Sequence, residues 1–295
     1  MRRGRMALEQ VLADLKREAG IACERGTARA VSGGSINETF RLETGTGPLL
    51  LKVNTRDGAS MFAAEAAGLK ALREARAVAT PDVYALGETA DHAYLALEWI
   101  ELVPDPRPAA ARLGRELAAL HAHTGAHFGW YRDNTIGSTP QPNTPTVDWI
   151  DFWCHCRLGY QLELAARNGL PRECERRARA LLGRLAQYFE SYRPEPSLLH
   201  GDLWGGNWGA TRDGVPYIFD PAVYFGDREA DLAMTRLFGG FSERFYEAYE
   251  AAWPLAPGWE GRVALYNLYH LLNHFNLFGA GYLGRIEGAL RELES

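Results

Sequence analysis

The segment His200-Gly201-Asp202-Leu203-Trp204-Gly205-Gly206-Asn207 places an aspartate five positions before an asparagine, and Asp220 follows thirteen residues later, at the end of the apolar run Pro216-Tyr217-Ile218-Phe219. Asp, then Asn at plus five, then Asp after a hairpin is the layout of a phosphoryl-transfer centre. Asp202 would accept the proton of an attacking hydroxyl. Asn207 and Asp220 would offer hard oxygen ligands to Mg2+, which binds beside phosphates and completes its octahedron with water and phosphate oxygens. Glycine, aspartate and asparagine also form turns, and any one of these residues alone reads as a turn. The three together at this spacing read as a site. Trp204, inside the same segment, is either a face on which a sugar can stack or a buried aromatic anchor.

Such a centre needs elements that hold a nucleotide against it, and the first hundred residues offer them. Helical spacing of Leu8, Val11, Leu12 and Leu15 predicts a helix over Met6–Ala19. Short strands are expected at Thr27–Val31, Thr39–Leu42 and Leu49–Val53, then a helix over Ser60–Ala75 with Ser60 as its N-cap, then strands at Val83–Leu86 and Ala93–Ile100. Lys52 lies in the third strand and Glu65 in the helix after it. A strand lysine paired with a helix glutamate can hold a cation against the α- and β-phosphates. The turn holding Gly33, Gly34 and Ser35 can offer backbone N–H groups to phosphate oxygens, although alone it reads as an ordinary hairpin turn. Glu98, Trp99, Ile100 and Glu101 close the last strand, where backbone groups could read an adenine edge.

Pro104, Pro106 and Pro108 then punctuate the chain as a boundary or hinge. The remainder is mainly helical. Helices are expected at Ala109–His123, Val147–Asn168 and Pro171–Tyr192, with three or four more from Asp227 on. The segment Gly125–Thr146 reads as a long polar loop, functional or disordered. Short strands are expected near Asn207–Ala210 and Val215–Phe219. Arg228 and Asp231 are expected to brace the active loop. The stripe Phe241, Phe245, Tyr249 and Trp253 has helical spacing and reads as core.

The 295 residues carry 32 basic and 37 acidic side chains, a net charge of −5. That balance argues against a nucleic acid or an anionic membrane as the main partner. No apolar run is long enough to span a bilayer, and charged residues follow the basic N-terminus too soon for a secretory signal. Four cysteines are too few for a disulfide framework and fit a cytoplasmic protein. Cys154, His155 and Cys156 are adjacent on an expected helix, where neighbours in sequence face apart, so they read as thiols rather than a zinc site. His121, His123 and His127 read as helix-end polarity.

The layout resembles the protein-kinase-like fold, and Gly201 between the histidine and the aspartate points to its small-molecule branch. Within that branch the chain resembles the fructosamine kinase (ketosamine-3-kinase) family. The likeness is carried by residues 200–207, by Asp220-Pro-Ala-Val-Tyr-Phe-Gly-Asp-Arg-Glu-Ala-Asp-Leu-Ala-Met234, by Asp133–Asn143, Gln161–Ala166, Leu272–His274 and Phe278–Tyr282. It implies an α+β, two-lobed architecture: an N-lobe of sheet plus inserted helix over residues 1–102, and a helical C-lobe over 103–295 with the catalytic and metal-binding loops. It also implies ATP-dependent phosphorylation, with Mg2+, of a sugar hydroxyl (carbon 3) of ketosamines, free or protein-linked. By position, Asp202 would be the base, Asn207 and Asp220 the Mg2+ ligands, Lys52 with Glu65 the phosphate clamp, and residues 99–101 the hinge. Some family members carry cysteine where Ser35 stands, so a redox switch through that loop is not expected here. Rival readings are an aminoglycoside-type phosphotransferase and an inactive nucleotide-binding module.

Overall fold

The computed structural model describes residues 2–23, 26–31 and 36–294. Gly33, Gly34 and Ser35 lie outside the described residues. After helix α1 (Arg2–Ala19) come strands β1 (Arg29–Ala30), β2 (Glu38–Thr44) and β3 (Gly47–Thr55), helix α2 (Ala59–Ala75), and strands β4 (Val83–Glu88) and β5 (His92–Glu98). All five strands form one antiparallel sheet in the order β1-β2-β3-β5-β4. Alternation decides its two faces. Leu49, Leu51 and Val53 of β3 pack with Val11 and Leu15 of α1, while Leu95 and Leu97 of β5 pack with Phe62 and Leu69 of α2. Ser60 does not cap α2. A 3-10 turn over Arg56–Gly58 runs straight into the helix, so the N-cap position falls on Gly58.

The second lobe begins with α3 (Ala110–His121), which a short 3-10 turn at Arg107–Ala109 precedes. The segment Gly125–Thr146 is not loose: it folds into a hairpin of β6 (Asn134–Ile136) and β7 (Thr139–Gln141). Asn134 and Gln141 also reach the backbone of residues 222–223, and Asn143 ties the segment to itself. The expected helix over 147–168 forms as α4 (Trp149–Phe152), a π-helical stretch Trp153–Leu158, and α5 (Gly159–Arg167). Helix α6 (Arg172–Leu182) ends ten residues earlier than the sequence suggests, giving way to a 3-10 stretch at Leu185–Phe189.

Four three-residue strands then carry the site. They are β8 (Ser197–Leu199), β9 (Trp208–Ala210), β10 (Pro216–Ile218) and β11 (Tyr224–Gly226), paired antiparallel as β8 with β11 and β9 with β10. The chain closes with α7 (Arg228–Leu237), α8 (Glu243–Ala252), α9 (Trp259–Phe278) and α10 (Leu283–Glu292). Phe245 and Tyr249 are buried in α8, with Phe241 and Trp253 packed partly buried beside them, as the stripe predicts. Among the described residues no helix is long and apolar enough to cross a membrane.

Candidate active site

The two lobes meet at Lys52. Its ammonium donates to Glu65 Oε1 on α2 at 2.6 Å and to Asp220 Oδ1 on the loop after β10. Burial works against this charge, but the carboxylates of Asp220 and Glu65 outweigh it and hold the group protonated. The expected Lys52–Glu65 pair is therefore present, and it reaches the residue expected to ligate metal. Lys52 sits within β3, opposite Thr39 on one side and Leu95 on the other, so the central strand fixes it.

Two pinched loops carry Asp202 and Asp220. Leu199 pairs with Tyr224, and Ala222 N–H donates to His200 O at 2.8 Å, which draws the chain after β8 against the chain before β11. Gly201 has φ 83°, and a Cβ there would stand 2.1 Å from Ala222 O. No side chain fits, which gives a steric reason for glycine where protein kinases use arginine. The His200 ring spans the same gap: Nε2 faces Phe219 O at 2.9 Å, and Asp202 N–H points at Nδ1 at 3.3 Å. Burial lowers the basicity of this ring, and a neutral imidazole with hydrogen on Nε2 satisfies both contacts. Asp220 has φ 57°, a left-handed conformation that aspartate tolerates and that marks constrained functional loops.

Asp231, in the first turns of α7, ties the catalytic segment down from below. It accepts His200 N–H at Oδ2 (2.7 Å) and Gly201 N–H at Oδ1 (2.8 Å). His121 Nε2 lies 3.2 Å from Oδ2, and His121 Nδ1 meets Tyr249 Oη at 2.8 Å. Burial favours the neutral acid, but the hydrogen bonds and charges of His121 and His200 prevail and keep the carboxyl below its ordinary value. Asp231 thus braces the loop as expected. Arg228 does not: its guanidinium goes to Tyr249 Oη and to the carbonyls of Trp253 and Pro254. His121 is a buried member of this network rather than helix-end polarity.

Asp202 stands between two other carboxylates. Its side chain is partly open to solvent, and burial, then the charges of Asp220 and Asp231, push it up to about 7. Asn207 donates from Nδ2 to Asp202 O at 2.9 Å and, at 3.5 Å, to Asp220 O. Its amide nitrogen is thus committed to the two loops, and Oδ1 is the atom left to ligate. Among the described residues no group of three or more His, Cys, Asp and Glu could hold a metal by itself. One amide oxygen and one carboxylate suit the cation that phosphates help to bind. The four cysteines are free, and the Cys154–Cys156 triplet lies on the π-helical stretch.

Trp204 is 40 % exposed and therefore not a buried anchor. Its indole lies over Gly206, where a Cβ would come 2.2 Å from the ring, and meets Phe238 edge-on at 6.5 Å. Phe238 continues to His274 (4.8 Å), and His274 to Phe278 and Tyr282, forming an aromatic wall beside the catalytic loop. At the other end of the cleft, Glu98 N–H donates to Asp82 O at 2.8 Å and the Glu98 carboxylate accepts Asp82 N–H, Trp99 Nε1 donates to Glu101, and Arg41 covers the Trp99 ring at 5.1 Å. Val103 N–H donates to Ala210 O at 2.9 Å and fastens the inter-lobe strap to β9.

The buttress from the β6–β7 hairpin was not foreseeable from the sequence. Asn134 donates to Val223 O at 2.8 Å and Gln141 to Ala222 O at 3.1 Å, directly behind Asp220. Asn143 joins Asn134, and Arg157 joins Asn143 from the π-helical stretch.

With this geometry the chain can be set beside known proteins. The family model described as fructosamine kinase matches residues 7–295. The chain belongs to the fructosamine kinase family. It is 45% identical over 267 residues to a Synechocystis protein named "Probable ketoamine kinase", covering 90% of this chain and 89% of that protein. It is 43% identical over 256 residues to the chloroplastic protein-ribulosamine 3-kinase of Arabidopsis thaliana, covering 86% of this chain and 78% of that one. A fructosamine-3-kinase-like crystal structure from Haemophilus somnus superposes with a TM-score of 0.89 at 27% identity, covering 98% of both chains. An aminoglycoside phosphotransferase in complex with ADP and hygromycin B shares the fold alone, with a TM-score of 0.67 at 20% identity over 96% of this chain and 98% of that one. Family membership makes this chain an ATP-dependent phosphotransferase with the protein-kinase-like, two-lobed fold.

Proposed function

We propose that the protein transfers the γ-phosphoryl group of ATP to a sugar hydroxyl, at carbon 3, of a ketosamine. The observation that carries this reading is the convergence of Lys52, Glu65, Asp202, Asn207 and Asp220, from four separate segments, on one cleft between the lobes. Residues 1–102 form the nucleotide-binding lobe and residues 103–295 the acceptor lobe.

Lys52, clamped by Glu65, meets the α- and β-phosphate oxygens. Backbone N–H groups of Gly33, Gly34 and Ser35 would serve the phosphate oxygens. Trp99, Ile100 and Glu101 take the adenine edge; Glu98 is spent on Asp82 instead, its N–H on Asp82 O and its carboxylate on Asp82 N–H. Asn207 Oδ1 and the Asp220 carboxylate hold Mg2+, which when bound offsets the phosphate charge. Asp202 lies where an acceptor hydroxyl must arrive. Its raised pKa near 7 suits a base that accepts a proton as the hydroxyl oxygen bonds to phosphorus and ADP leaves. His200 and Asp231 touch no reactant in this scheme; they set the loop that aims Asp202.

The aromatic wall from Trp204 to Phe278 supports a sugar acceptor over a polycationic one. A ring face suits the C–H face of a carbohydrate, and Arg285 lies 4.8 Å over Phe238. An aminoglycoside would instead want carboxylates there. The filled catalytic positions disfavour an inactive module. Four free thiols support a reducing compartment, the cytoplasm. The test is turnover: ribulose, erythrulose and fructose adducts of lysine, offered with Mg·ATP, should be phosphorylated, and aminoglycosides should not. Turnover with the antibiotics alone would overturn the acceptor assignment.

A further inference from the structure

A second cavity, of about 520 Å3, opens between the lobes on the stretch linking α2 to β4. That volume lies in the range of small-molecule sites. Both lobes build it. Arg73, Arg76, Thr80 and Glu98 come from the N-lobe, and Arg112 and Tyr217 from the C-lobe. Ile218 N–H donates at 3.0 Å to the carbonyl of Ala79, which lines the cavity.

The charges in it are unequally satisfied. Arg73 is paired with Asp82, and Arg112 donates to Glu116 at 2.6 Å. Among the described residues Arg76 has no ion pair or hydrogen bond from its side chain. It also holds a left-handed conformation, φ 55°, as the C-cap of α2. Thr80 is only 6 % exposed, yet its hydroxyl has no hydrogen-bond partner. A buried hydroxyl without a partner is costly unless something supplies the bond. One oxygen of Glu98 accepts Asp82 N–H, which leaves the other for a further donor.

We propose that this cavity binds a small phosphorylated sugar or polyol, its anion on Arg76 and its hydroxyls on Thr80 and Glu98. An uncommitted guanidinium favours a phosphate, with a planar fork matched to two oxygens. A free carboxylate oxygen and an unsatisfied hydroxyl require donors and acceptors beside that anion, which a sugar provides and a bare ion does not. The ligand would touch both lobes, and through Glu98 the strap that joins them. Its site lies outside the reactive cleft, and it does not depend on the acceptor assignment.

Calorimetry on the full chain tests this, with fructose 6-phosphate as the probe, run with and without Mg·ADP. Saturable binding of one equivalent is expected in both runs. Sorbitol should give no heat, and inorganic phosphate should bind more weakly than the sugar phosphate. Arg76→Gly keeps the left-handed backbone and removes the charge, and should weaken binding roughly tenfold or more. Thr80→Val keeps the shape and should weaken it several-fold. No saturable heat, competition by ADP, or unchanged affinity in both variants would overturn the site. Phosphate binding as tightly as fructose 6-phosphate would overturn the sugar assignment. Because the readout is heat of binding, loss of kinase activity in any arm leaves these outcomes distinct.

Discussion

Replacing Asp202 by asparagine should slow the chemistry about 10²–10⁴-fold and stabilise the protein. The carboxyl has an ordinary value of 3.8 and is pushed up to about 7 by burial and by Asp220 and Asp231. A raised value means that the folded chain prefers the proton. The native state is therefore penalised as pH rises from about 4 to about 7, and the penalty is constant above that. At about 1.4 kcal/mol for each tenfold change, the ceiling above pH 7 is about 4 kcal/mol. Solvent reaches the carboxyl, so a gain of about 1–2 kcal/mol is the working expectation, after discounting for screening. Among the described residues no hydrogen bond to the Asp202 carboxylate is lost, and Asn207 bonds to the Asp202 main-chain oxygen. Asparagine should raise the melting temperature at pH 8 by about 2–4 °C per kcal/mol, and by little at pH 4.5. Scanning calorimetry of both proteins without nucleotide at the two pH values reads this directly. An equal shift at both pH values, or a loss at pH 8, would refute the crowding of carboxylates from which the base assignment draws support.

Lys52→Met should lower kcat more than ATP affinity, since charge grows on the phosphate oxygens in the transition state; Glu65→Gln should do the same more mildly, and strictly additive losses in the double variant would show that the two do not act through one contact. Asp220→Ala should weaken Mg·ATP binding and remove activity, and calorimetry giving an unchanged Mg·ATP affinity would argue against its role as a ligand. His121→Ala strips one hydrogen bond from buried Asp231 and should lower kcat with KM for ATP little changed; a loss confined to KM would place its effect elsewhere.

The chemistry was the most legible part of the chain. Asp202, Asn207 and Asp220 are constrained in type by what they must do and in spacing by the loops that carry them. The sheet of five strands and its inserted helix were readable for a different reason: Leu49, Leu51 and Val53 alternate, and α2 is rich in helix formers. What escaped notice depends on contacts distant in sequence. Strands β8 and β11 have three residues each, and their pairing, Leu199 with Tyr224, leaves no local period. The polar segment 125–146 reads as a long loop, functional or disordered, because the contacts that fix it run both within the segment, Asn143 to Asn134 and to Arg132 O, and to the distant 222–223 backbone and Arg157. The end of α6 was overrun because the apolar pattern continues through the 3-10 stretch that follows. Arg228 was misassigned since its target, the end of α8, lies some twenty-five residues on.

The central claim is phosphoryl transfer to a ketosamine by Asp202. Its most direct test is mass spectrometry of a ribulose adduct of lysine after incubation with Mg·ATP and either wild-type or Asp202→Asn protein. The account predicts one phosphoryl group on the sugar with the wild type, and with the variant a rate about 10²–10⁴-fold lower. An unmodified adduct with the wild type, or equal product from both proteins, would contradict it.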